Sequence, residues 1–97
     1  MRPVPFLPAA REEFIAAANH YDSEAPGLGD EFITEVERAV ARIATFPEHG
    51  SPYLERTRRV VLQRFPFNIV YLVESETVLV VALAHHSRRP GYWRDRV

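Results

Sequence analysis

At 97 residues, 46% of them hydrophobic and 26% charged, the chain has room for one globular domain and one core, and its composition excludes disorder. The absence of cysteine excludes a disulfide framework, a thiolate zinc site and a cysteine nucleophile together. The net charge of -1 divides into -6 over residues 1–55, with four Arg and ten acids, and +5 over residues 56–97, with eight Arg and three acids.

In chain order, Val4–Leu7 reads as a short edge strand, because Pro3, Pro5 and Pro8 remove ladder donors. From Ala9 to about Glu24 the spacing of Phe14, Ala17, Ala18 and Tyr21 predicts a helix. Pro26-Gly27 breaks it. A second helix starts at Asp30 or the glycine before it, with Phe32, Ile33, Val36, Val40 and Ile43 on its apolar face and Phe46 at the end of that row. Glu31, Glu35, Arg38 and Arg42 form its solvated side, and the short link makes the two helices an antiparallel hairpin. Pro47–Pro52 has the composition of a loop.

Three strands follow, over Arg58–Phe65, Phe67–Glu74 and Val78–His85. The last two are apolar on both faces, as interior strands are. Ser75-Glu76 is short enough for a hairpin turn. The predicted class is α+β, order β-α-α-β-β-β, with the helical hairpin on one face of a small, mainly antiparallel sheet, the first strand pairing with the last. The whole of 1–97 is taken as one domain, with Tyr92–Val97 a helical turn or tail. No apolar run approaches the roughly 20 residues of a membrane span, and the N-terminus lacks a signal-peptide pattern. A cytoplasmic protein is expected.

All twelve basic residues are Arg. That suits bidentate recognition of phosphate or carboxylate, and equally a GC-rich genome. Arg88, Arg89, Arg94 and Arg96 interleave with Tyr92 and Trp93, a mixture that contacts phosphate and stacks bases, or anchors a protein interface. The plain alternative is a solvated tail with Trp93 packed on the sheet. His85 and His86 are adjacent, so on a strand they face opposite ways and do not share an ion. No metal site and no cofactor motif stands out.

The stretches Arg58-Arg59-Val60-Val61-Leu62-Gln63-Arg64-Phe65-Pro66-Phe67-Asn68-Ile69-Val70-Tyr71 and Val78–Pro90, followed by Gly91-Tyr92-Trp93, resemble the ParE branch of the ParE/RelE toxin superfamily. The resemblance covers Val4 to Arg96. It implies the toxin of a type II toxin–antitoxin system, neutralised by a ParD-like antitoxin in a hetero-oligomer. ParE-like members are associated with inhibition of DNA gyrase; RelE-like members cleave mRNA on the ribosome.

Carried over by position, Arg88 matches the basic residue after the last strand, Tyr92 or Trp93 a C-terminal aromatic, and Arg59 a basic residue on the second strand. Val61 and Asn68 stand where a RelE-like pattern has basic residues, which argues against RNA cleavage. The expected target-binding residues are therefore Arg59, Arg64, Arg88, Arg89, Tyr92 and Trp93, with no catalytic residue assigned. This requires the C-terminal guanidinium groups to gather into one exposed patch.

Overall fold

The computed structural model describes residues 4–75 and 77–97. Two helices, α1 (Pro8–Glu24) and α2 (Leu28–Thr45), precede four strands, β1 (Ser51–Pro52), β2 (Arg58–Val61), β3 (Phe67–Glu74) and β4 (Thr77–His85). The strands lie in sequence order in one antiparallel sheet, with the helices on one face, an α+β fold as expected.

The two edges of the sheet differ from expectation. Val4–Leu7 forms no strand, only an isolated parallel bridge between Phe6 and Val80. Leu7 N–H donates to the Val80 carbonyl and Val80 N–H to the Pro5 carbonyl, each at 2.9 Å. The anticipated pairing with the last strand is thus present in its shortest form, because Pro5 and Pro8 have no N–H with which to lengthen it. At the other edge, a stretch read as loop supplies β1, where Ser51 pairs with Arg59 and Pro52 with Arg58.

The helical hairpin is set by one close approach. A Cβ on Gly29 would lie 2.5 Å from the Ala18 carbonyl oxygen, so only glycine lets α2 start this near α1. Gly29 N–H donates to Asp22 Oδ1 at 2.9 Å, tying the start of α2 to the end of α1. Gly27, at φ 87°, turns the chain between them, and α2 begins at Leu28, ahead of the predicted Asp30. Phe32 is fully buried, with ring centroids of Tyr21, Phe65 and Phe67 at 5.2, 5.1 and 5.2 Å. Phe46, placed at the end of the apolar row, is instead 64% exposed.

β2 stops at Val61, four residues short of the predicted end at Phe65. The Glu35 carboxylate on α2 accepts Gln63 N–H at 2.7 Å and Arg64 N–H at 3.3 Å, drawing both off the ladder. Pro66 offers no donor, and the turn drops Phe65 into the helix-side core. β3 has its predicted bounds, and β4 begins one residue early, at Thr77. Glu76 of the predicted hairpin turn lies outside the described residues; Ser75 beside it has φ 53°.

A bulge in β4 carries the rest of the architecture. Val70 pairs with Ala82 and Tyr71 with Val80, leaving Val81 as the extra residue, so Val81 and Ala82 both join the face away from the helices. There Val70, Val81, Ala82, Ala84 and Trp93 form a second core, covered by the C-terminal tail and the Tyr53-Leu54 turn. The outer edge of β4 is closed beyond the Phe6 bridge too. Leu83 N–H donates to Glu13 of α1 at 3.1 Å, and the Val81 carbonyl accepts from Arg96 at 3.1 Å. No described helix is long and apolar enough to cross a membrane.

Candidate functional site

Residues directly opposite on paired strands share a face, so two rows cross the side of the sheet away from the helices. One is Arg59, Val70, Ala82; the other is Val61, Asn68, Ala84. The alanines on β4 are small enough to leave room above them, and the indole of Trp93, 1% exposed, occupies part of it. The remainder is an open cleft of about 320 Å³. Arg59, Val61 and Asn68 line it from the sheet, and His85, His86, Arg88, Arg89, Pro90, Tyr92 and Trp93 from the end of β4 and the tail.

Two of its three arginines are laid over tyrosine rings. The Arg59 guanidinium carbon stands 4.4 Å from the centroid of Tyr53, and that of Arg88 stands 3.8 Å from the centroid of Tyr92. Such stacking holds a flat cation in place and leaves its N–H edge for an anion. Among the described residues none of Arg59, Arg88 and Arg89 forms an ion pair, so their charge remains uncompensated.

Of the other five C-terminal arginines, four are already engaged. Arg64 binds Glu31 at 2.8 Å in an acidic hollow against α2, with Asp30, Glu35 and Arg38, away from the cleft. Arg94 pairs with Glu55 at 3.4 Å, and Arg58 donates to the Gly50 carbonyl at 2.7 Å. Arg96 donates to both carboxylate oxygens of Glu13, at 3.0 and 2.9 Å. The predicted single patch is therefore smaller than expected: Arg59, Arg88, Arg89 and Tyr92 come together, Arg64 lies elsewhere, and Trp93 forms the cleft's buried floor.

Glu13 also accepts the Tyr92 hydroxyl at 2.6 Å. Burial, reinforced by that neighbouring carboxylate, raises the Tyr92 phenol far above the ordinary range, so it stays protonated and donates. The hydrogen bonds that Arg96 donates to Glu13 raise the pKa of its guanidinium further.

The two histidines do not part to opposite faces, because β4 ends at His85 and His86 lies in the following turn, so both line the cleft with different partners. His85 sets its ring edge-on against Phe67 at 5.0 Å and accepts Ser87 N–H at Nδ1, 2.9 Å. His86 Nε2 is 3.1 Å from Asn68 Oδ1. Among the described residues no cluster of three His, Asp or Glu is placed to hold a metal ion.

Sequence reasoning passed over Tyr53, Asn68 as a wall of the cleft, and Glu13. The two-residue alternation from Arg59 to Val61, set against Asn68 and Val70, carried the signal for Asn68. Glu13 lies 83 residues from Arg96, and no local pattern links them.

The family model for the ParE toxin of type II toxin-antitoxin system, parDE, matches residues 4–90. A chain of the chromosomal ParDE TA system from P. aeruginosa has the same fold, with a TM-score of 0.75 at 16% identity, over 88% of this chain and 96% of that one. No curated protein matches in sequence.

Proposed function

Because the chain belongs to the ParE toxin family of type II toxin-antitoxin systems, we propose that it arrests growth by binding a protein target, DNA gyrase, with no bond-making chemistry of its own. Its cleft of uncompensated arginines is the surface we assign to that contact, through Arg59, Arg88, Arg89 and Tyr92, with Trp93 supporting them from below and Arg64 at most at the periphery. A cognate ParD-like antitoxin neutralises it in a cytoplasmic toxin–antitoxin hetero-oligomer. The acidic surface of Asp30, Glu31 and Glu35 suits a basic stretch of that antitoxin.

The observation that carries a protein target over RNA is the state of the aromatic rings. Single-stranded nucleic acid is held by stacking bases on exposed rings. Here Tyr53 and Tyr92 already carry guanidinium groups, and Trp93 is buried. Guanidinium edges then meet carboxylates, as they do at protein interfaces.

The competing reading is a RelE-like mRNA endonuclease, favoured by one feature: His85 and His86 line the same cleft as the arginines. Cleavage through the 2′-hydroxyl requires a base, an acid and a stabiliser for phosphate charge. Val61 and Asn68, where further basic residues belong in that pattern, also line this cleft. One is apolar, and the other is engaged with His86.

Inducing the chain without its partner separates the readings. We expect growth arrest with loss of DNA supercoiling while mRNA stays intact, and Arg88→Ala to abolish that loss without unfolding the protein. Early mRNA cuts would overturn this in favour of the nuclease, and unimpaired growth would leave a binding module without toxicity.

A further inference from the structure

We infer that Glu13, on α1 beside the edge strand, is a positioning residue that sets where Arg88 stands in the cleft. The functional meaning of this rests on the cleft being the target-binding surface; the geometry does not.

The Glu13 side chain, 17% exposed, gathers four donors. They are Leu83 N–H on β4 at 3.1 Å, the Tyr92 hydroxyl at 2.6 Å, and two nitrogens of Arg96 at 3.0 and 2.9 Å. Carboxylate bonds of this kind are the strong ones, and here they join α1, β4 and the tail at one point. Glu13 also leaves Tyr92 no equal alternative, since its next acceptor, the Leu83 carbonyl, is at 3.5 Å, the outer limit for a hydrogen bond.

The Tyr92 ring packs in part against the second core, with the Arg96 guanidinium 5.2 Å from its centroid, and open space adjoins it on two sides. Tyr92, Arg88 and His85 line both the arginine cleft and a second hollow of about 330 Å³ on the α1 side, floored by Ala17, Tyr21, Phe67 and Leu83. The ring thus stands between the two hollows, and Glu13 holds it at its hydroxyl end, both directly and through Arg96. On this ring rests the Arg88 guanidinium, 3.8 Å from the centroid. The path from Glu13 to Arg88 has two links, a charged hydrogen bond and a cation on a ring. Tyr92 and Arg96 lie beyond the residues matched by the family, 4–90.

The test uses the full chain carrying Glu13→Gln or Tyr92→Phe, the second removing only the hydroxyl. With the Arg88 guanidinium 3.8 Å from the Tyr92 centroid, the ring current should shift the Arg88 side-chain proton resonances of the parent protein upfield. We expect both variants to lose most of that shift while unfolding cooperatively, and to bind purified gyrase about tenfold more weakly. Arg88 resonances that stay in place in a folded variant overturn the inference. If Glu13→Gln does not fold, Tyr92→Phe decides alone. Should the resonances move while gyrase binding is indifferent both to these variants and to Arg88→Ala, the positioning role stands and the cleft is not the target surface.

Discussion

The two faces of the sheet are closed by different means. On the helix side, regular apolar spacing along α1 and α2 meets alternate residues of β3 and β4, and Phe32 sits among four aromatic rings. On the other side the C-terminal tail lies across the strands, Trp93 is buried there with Tyr53, Leu54 and Tyr92 packed around it, and ion pairs of Arg94 and Arg96 fasten the tail's end. Both closures leave space at a margin, a hollow of about 330 Å³ beside α1 on the helix side and a cleft of about 320 Å³ beside the tail on the other. The unpaired arginines stand in that cleft.

The largest effect that tests this contrast is Phe32→Ala. Removing a fully buried ring at the meeting of helices and sheet should destabilise the protein by about 4 kcal/mol and lower protection from hydrogen exchange throughout. Trp93→Ala should cost about 3 kcal/mol and act locally, exposing amides of residues 86–97 and β4 while α1 and α2 keep their protection. Equal loss of protection in the helices of both variants would show that the faces are one cooperative unit.

A smaller effect comes from the tail's fastening. Tyr92→Phe should cost about 2 kcal/mol at neutral pH, the range for a hydrogen bond to a charged acceptor. Because the folded Tyr92 pKa lies above its ordinary 10.0, the stabilisation is complete below that pH and drains away as pH rises past it. Burial raises Tyr21 and Tyr71 in the same direction. Urea titrations between about pH 8 and about pH 11 should therefore show stability falling with pH, and falling less steeply in Tyr92→Phe. Identical slopes would place the alkaline sensitivity in the helix-side tyrosines.

The smallest effect is expected at Arg64. Its pair with Glu31 is more than half exposed on both sides, so Arg64→Ala should change stability by no more than about 0.5 kcal/mol. Gyrase binding should suffer less than in Arg88→Ala. A loss equal to that of Arg88→Ala would extend the binding surface around the sheet to α2.

Much of the helix side was legible because its determinants are local. The row Phe32, Val36, Ile43 announces a helix by spacing alone, and the run Phe67–Glu74 announces a strand buried on both sides. The early end of β2 was not legible, because the carboxylate that takes its amides belongs to Glu35, 28 residues upstream of Gln63. At the site, the arginines were visible as a count, but their division into free and engaged was not. Arg94 and Arg96 look like Arg88 and Arg89 along the chain, and only the fold brings Glu55 to one and Glu13 to the other. Trp93 was ambiguous for the same reason: its role depends on the small alanines of β4, which spacing does not connect to it.

The closed margin of β4 bears on how such a protein survives in quantity. Naked strand margins recruit further strands and seed cross-β growth. On β4 the Val80 amide and carbonyl, the Val81 carbonyl and the Leu83 amide are all taken by the protein's own groups, and the opposite margin begins with a two-residue strand ending in proline. The middle of β4 thus withholds its backbone from further copies of the chain.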